Sequence, residues 1–352
     1  MPVLRRLGRV QIAADGFSSS LCRLQNGELL VNYSAPGSDG WQVNLVRSDD
    51  GGRTWSEPRA IALPHDGLEA GCAIGTTQLA SGMILLPFQR HRPAGHQAFD
   101  DTHLLASTDN GRTWSDPVKL APNGAASGDL RWAYPYGRIR ELSDGTIVVP
   151  ICGQFPGDRL WRSVHIRSHD GGATWSEMVT AAIGMDNEHD IIELPGGRML
   201  AVFRDWRSPR YGHGISPLWE SHSEDLGRTW DEPVLTFQAL YGHSPALFRT
   251  RQGTLICGYR YLGDLDIGIC SVGFSIWAEQ NGEWGDNHHV VDTPGIGEYR
   301  LGCGYPCWDY ADDERLLCVY HSNPTYVPSP SHPWPQRGFH SDVEGTFYLE
   351  ES

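Results

Sequence analysis

No apolar run in this chain approaches the roughly 20 residues of a membrane-spanning helix, and no HExxH motif marks a metal centre. Positive charge is scarce. Against 43 Asp and Glu there are 28 Lys and Arg, a formal charge of −15, which argues against nucleic acid and anionic membranes as partners because both demand a basic footprint. The N-terminus, Met1-Pro-Val-Leu-Arg-Arg-Leu, is basic but lacks the apolar core of about 7 to 15 residues of a signal peptide. A cytoplasmic location is therefore expected, or a secreted or periplasmic one if a leader has been removed. The eight cysteines sit mostly inside apolar strands, where a thiol acts as a small hydrophobe; Cys303 and Cys307 have the wrong spacing for a zinc half-site. Neither cofactor nor metal is expected. Oligomeric state leaves no trace in the sequence. What is abundant is turn chemistry, with 41 Gly and 23 Pro, together with 13 Trp.

Four copies of Ser-x-Asp-x-Gly-x-Thr-Trp run through the chain: Ser48 to Trp55, Ser107 to Trp114, Ser168 to Trp175 and Ser223 to Trp230. The pattern reads as a hairpin turn: the Asp accepts N–H groups of its own turn, the Gly supplies positive φ, and the Thr restarts a strand. The Trp folds back as an apolar plug, so Trp55, Trp114, Trp175 and Trp230 are expected to be buried at equivalent places. These tryptophans recur at nearly even intervals along the chain, and such a period implies arrayed supersecondary units. The signature is the Asp box, and the chain resembles the sialidase superfamily of β-propellers.

A second repeat supports that resemblance. Apolar runs flank turns at Gly27, Gly82, Gly145, Gly197, Gly253 and Glu314, which follow one another in nearly even steps, the usual hairpin signal. Six hairpins predict an all-β, six-bladed propeller occupying residues 1–352 as a single domain. A degenerate fifth box runs from Ser275 to Trp284, and the last blade has none. Closure is expected by mixed termini, with Val3 to Ile12 outermost in the last blade beside Thr346 to Glu350.

The turns serve as a ruler for the site. Nine residues before each turn the inner strand begins at the central face, at Ser18, Ala73, Tyr136, Glu188, Ser244 and Tyr305; seven residues after it the chain returns to that face at Ser34, Gln89, Cys152, Arg204, Arg260 and His321. Glu188, Arg204, Arg260, Tyr305 and His321 are thus expected on one wall of a funnel, with His243 at the head of blade five. Arg90 and Arg131, the latter beside Trp132, have the composition of a sugar-site rim.

The resemblance implies roles for some of these residues. Sialidases keep a Glu at the head of the blade-four strand with an Arg at a fixed distance downstream, the spacing at which Glu188 and Arg204 stand here, and a Tyr at the head of the last blade, as Tyr305 does. In the family the Tyr is the nucleophile and the Glu its base, an exception to the two-carboxylate scheme of glycosidases. The acid/base Asp lies in the loop before the first Asp box, where Asp39 fits. The chain also departs from the family. Where an Arg-Ile-Pro motif carries the first of three clamp arginines, it has Phe17-Ser18-Ser19; after the blade-five hairpin no arginine occurs between Tyr261 and Phe274, leaving Arg260 as the nearest substitute.

Plainer roles stand beside these. Glu188 and Arg204 would also suit a structural ion pair, Tyr305 a channel-lining aromatic, and Asp39 a turn. Three functions follow: an exo-acting glycoside hydrolase whose terminal sugar is sialic acid, another ulosonic acid or a different sugar; a polysaccharide lyase acting on uronate; and a non-catalytic carbohydrate- or protein-binding propeller. Fold alone does not choose among them.

Overall fold

The computed structural model describes residues 3–92, 99–120, 132–154, 157–175, 177–184, 188–204, 218–236, 242–262, 270–278, 283–284, 289–292, 303–322 and 341–351. Every regular element among them is a β-strand. The strands form six antiparallel sheets, the blades, of which five run outward in chain order from an inner strand and the sixth ends on the N-terminal strand. Blade one, for example, is Phe17–Arg23, Leu29–Gly37, Gly40–Ser48 and Arg59–Ala62. The last blade has the order Gly304–Tyr310, Arg315–Ser322, Asp342–Glu351 and Val3–Ala13, so the N-terminal strand closes the ring in the manner expected.

Five of the six hairpin turns carry their glycine at φ between 79° and 93°, at Gly27, Gly82, Gly145, Gly197 and Gly253, where a side chain would strain the turn. The apolar core lies between neighbouring blades. Leu21, Val31 and Tyr33 of blade one pack on Leu317, Val319 and Phe347 of blade six. Burying each such side chain is worth roughly 1.5–3 kcal/mol.

All four Asp boxes adopt the turn expected of them. In the first, Ser48 Oγ donates to Asp50 Oδ1 at 2.8 Å, and Asp50 accepts the Arg53 and Thr54 amides at 2.9 and 3.0 Å and the Thr54 hydroxyl at 2.7 Å. The tryptophans depart from expectation. Trp175 is buried, whereas Trp55, Trp114 and Trp230 are half-buried. Their rings lie over the joint with the preceding blade rather than inside it, and the indole N–H of Trp55 and of Trp230 donates to the glycine carbonyl of its own box at 3.1 Å. Arginines of the preceding blade reach over to the same boxes: Arg47 Nη1 donates to Asn110 O at 2.7 Å and Arg167 Nη1 to Leu226 O at 2.8 Å.

Burial tends to raise the Asp50 carboxyl, but the amide and hydroxyl donors of Thr54, with Ser48 and Arg53, outweigh it and bring the carboxyl down to about 2. The stability it confers is present above the ordinary carboxylate range and lost as pH falls toward 2. Asp50→Ala is expected to cost about 1–2 kcal/mol, small because the site is half-exposed. A urea midpoint unchanged between wild type and variant at pH 7 contradicts this.

Candidate active site

The inner strands of blades one, five and six share an irregularity. Their pairing slips between Phe17 and Ser20, His243 and Ala246, and Gly304 and Cys307, and Ser18, Ser244 and Tyr305 take φ of 51°, 60° and 52°. An extra residue in a strand bends it and re-aims its side chains. For a ring as bulky as tyrosine the left-handed region costs of order 1–3 kcal/mol, and such outliers gather at functional sites.

Glu188, at the head of blade four, is buried and fully engaged. Its Oε2 accepts the Ser244 amide at 2.8 Å, the Ser244 hydroxyl at 3.1 Å and Arg204 Nη1 at 3.0 Å, while its Oε1 accepts the Tyr305 hydroxyl at 3.0 Å. Burial alone would lift the Glu188 carboxyl; Arg204, then Arg260, the Tyr305 hydroxyl and the Ser244 amide outweigh it and hold the group below its ordinary range. Tyr305 moves the other way. Burial raises its hydroxyl well above the usual phenol range and the neighbouring carboxylate adds to this, against Arg260 and Arg204. The resting pair is an ionised carboxylate facing a neutral phenol.

An aromatic sleeve surrounds Tyr305. Phe17 meets its ring edge-on at 5.4 Å, His321 lies 5.2 Å away and Tyr136 5.7 Å. Phe17 and His321 are 4.7 Å apart. The Arg260 guanidinium stands 5.2 Å over the Tyr305 ring, and its Nε donates to the Cys303 carbonyl. Gly304 makes room for it, since a Cβ there would lie 2.4 Å from Arg260 Nε. Glu188, Arg204, Arg260, Tyr305 and His321 are thus brought together.

The other sequence-predicted residues are placed differently. His243 is buried opposite Arg260 in the blade-five pairing. Arg90 turns away toward blade one, donating from Nη1 to Leu63 O at 2.9 Å. Asp39 is exposed in the hairpin turn between Gly37 and Gly40, where its carboxylate accepts Ser38 Oγ at 3.2 Å; no hydrogen bond joins it to Glu188 or Tyr305. Arg131 lies outside the described residues. Sequence reasoning missed the Ser244 donors, although Ser244 shares the ring position of Glu188 and Tyr305. It also missed Glu69, buried on the blade-two inner strand against the Asp39 hairpin and 3.6 Å from His91 Nδ1. Among the described residues no cluster of three or more metal-ligating side chains occurs.

The family described as BNR repeat-like domain matches residues 19–115 and 91–260, more than half of the chain. The sequence is 26% identical over 235 residues to a sialidase of Paraclostridium sordellii, covering 60% of this chain and 56% of that protein. The chain therefore spans little more than half the length of that relative. Among solved structures, a protein of unknown function from Dyadobacter fermentans superimposes with a TM-score of 0.78 at 20% identity, with complete coverage of both chains. A Hadza microbial sialidase does so at 0.72 and 19% identity, over 94% of this chain and 65% of the other.

Proposed function

We propose that this chain, which belongs to the BNR repeat-like family and has a sialidase-type propeller fold, is an exo-acting glycoside hydrolase with Tyr305 as nucleophile, Glu188 as its base and Asp39 as acid/base. One observation carries the reading: the Tyr305 hydroxyl donates to Glu188 Oε1 at 3.0 Å, within general-base reach. A phenol is a poor nucleophile until a carboxylate takes its proton. In the first step Tyr305 Oη bonds to the anomeric carbon, its proton passes to Glu188, and the glycosidic bond breaks with its electron pair on the leaving oxygen. In this reading that oxygen takes its proton from Asp39. In the second step water replaces Tyr305 at the anomeric carbon, giving one proton to Asp39 and keeping the other as the product's hydroxyl. The bond between that carbon and Tyr305 Oη breaks, and Glu188 returns to the phenolate the proton it took in the first step.

Exo action fits the floor of the site. Arg138 of blade three crosses the axis to blade six, donating from Nη2 to Asp309 Oδ2 at 2.7 Å, and the cavity beneath Tyr305 holds only about 30 Å³, room for roughly one water. A polymer would not thread through it. A chain end would enter from above.

A substrate carboxylate would be held by Arg204 and Arg260. Phe17 stands where sialidases place a further arginine, and losing one charge-assisted pair costs about 2–5 kcal/mol, or roughly 30-fold to several thousand-fold in binding. Weak turnover of ordinary sialosides is expected, with better activity on a terminal sugar that needs fewer arginines. A panel of 4-methylumbelliferyl glycosides tests this, run alongside uronate polymers monitored for unsaturated product. Hydrolysis abolished by Tyr305→Phe supports the reading. Unsaturated product would make the protein a lyase, and efficient Tyr305-dependent sialoside cleavage would overturn the specificity.

A further inference from the structure

Around the small cavity that Tyr305 borders lies a group of charged side chains. Asp190 sits two residues beyond Glu188 on the same inner strand, and Asp309 four residues beyond Tyr305 on its own. Arg138 meets both. Its backbone N–H donates to Asp190 Oδ1 at 3.0 Å. Its guanidinium donates from Nη2 to Asp309 Oδ2 and to the Leu21 carbonyl, both at 2.7 Å, and from Nη1 to the Trp308 carbonyl at 3.2 Å. Asp190 Oδ2 is held in turn by Arg140 Nη2 at 3.0 Å and the Leu247 amide at 2.7 Å. One residue of blade three therefore joins the inner strands of blades one, four and six.

The fit is close. Gly137, at φ 91°, brings its strand so near blade four that a Cβ would lie 2.6 Å from the His189 carbonyl. Tyr305, Arg138 and Asp190 together bound the small cavity at the axis. A guanidinium is the side chain suited to this place, since its planar fork meets a carboxylate and two carbonyls at once; an ammonium on a flexible stem does not hold that geometry.

We propose that Arg138 is a positioning residue that sets the Glu188–Tyr305 separation by bracing the two strands that carry them. The proposal rests on the nucleophile–base reading above. Blades four and six are not neighbours, and at this depth a tie through Arg138 fixes one strand against the other. Loosening it lets the Tyr305 hydroxyl drift from Glu188 Oε1, and a misplacement of about 1 Å costs on the order of 100-fold in rate.

The test uses the full chain with R138M, R138K and D309N, and reads two quantities. The first needs no substrate: the Glu188 Oε1 to Tyr305 Oη distance in crystal structures, which is expected to pass beyond about 3.5 Å in R138M and to be intermediate in R138K and D309N. The second is kcat and KM on the 4-methylumbelliferyl glycoside that the wild type turns over. For R138M a kcat lowered about 100-fold with KM nearly unchanged is expected. Should R138M not fold, R138K and D309N, which keep the volume of the site, decide by the same distance. An unchanged distance overturns the proposal, as does a lowered melting temperature with kcat intact, which would make Arg138 a structural tie alone. Tyr305→Phe on the same probe separates the two ideas. If it remains active, the nucleophile reading fails, while the crystallographic distance still decides the brace.

Discussion

Lowering the pH from 7 to about 4.5 is expected to unfold this protein, chiefly through its buried histidines. Three histidines among the described residues are fully buried. Among the described residues neither ring nitrogen of His165 or of His321 has a hydrogen-bond partner, and His189 offers only Nδ1 to Cys152 Sγ at 3.2 Å. His165 faces His189, Arg167 and the Trp230 ring; His189 faces Cys152, His165 and Phe203; His321 faces Phe17, Tyr305 and Arg260. No carboxylate pairs with any of them among the described residues. Burial first, and then His189 and Arg167 for His165 and Arg260 for His321, pushes both of these well below the usual imidazole range, and burial takes His189 down to about 3. All three are neutral in the fold.

The unfolded chain takes up their protons near the ordinary value of about 6.5, so stability is full above that pH and falls below it by about 1.4 kcal/mol per unit for each group. Over two units three groups remove about 8 kcal/mol, comparable with the whole stability of a domain. Urea unfolding at pH 7.0, 6.0 and 5.0 measures it: the stability should drop with a slope approaching three protons, and His165→Leu should reduce that slope by about one. A flat profile down to pH 5 would show that the imidazoles do not carry the effect.

The blades were legible because their determinants are local. Each Asp box and each hairpin turn is closed by residues within a few positions, as with Ser48, Asp50 and Thr54, and a nearly constant period repeats that logic along the chain. The funnel wall was legible one step further, because a fixed offset from each turn locates a strand end; Glu188, Ser244 and Tyr305 all occupy that offset. What escaped depends on contacts between distant segments. Arg138 and Asp309 are 171 residues apart, and nothing in either neighbourhood marks them as partners. The tryptophans show the same limit, since the local pattern fixes where the indole begins and the adjoining blade decides how far it is covered. For Asp39 the offset gives a hairpin tip and does not say how close that tip lies to the pair.

Replacing the Glu188 carboxylate by its isosteric amide is expected to remove activity while leaving a folded protein. The carboxylate accepts from Ser244, Arg204 and Tyr305 at once. In Glu188→Gln the side-chain oxygen keeps the Ser244 and Arg204 contacts, because only an acceptor suits those donors. The amide nitrogen is left facing Tyr305 and donates to the phenol instead of taking its proton. With the phenol already raised well above its usual range, no other described group contacting its hydroxyl can accept the proton, and a loss of about 10²–10⁴ in kcat follows. Stability falls as well, since Arg204 loses its buried counter-charge; the retained hydrogen bond keeps this below the roughly 3–5 kcal/mol of removing a buried partner outright. The pH profile adds a second check. Because Glu188 is held below the ordinary carboxylate range, it stays ionised throughout the interval in which the buried histidines weaken the fold. Any fall in wild-type activity between pH 6.5 and 5 should therefore track unfolding rather than protonation of the base. Steady-state rates and melting curves taken on the same samples decide it: a Glu188→Gln variant that keeps more than about a tenth of wild-type kcat, while folded, removes Glu188 from the role of base.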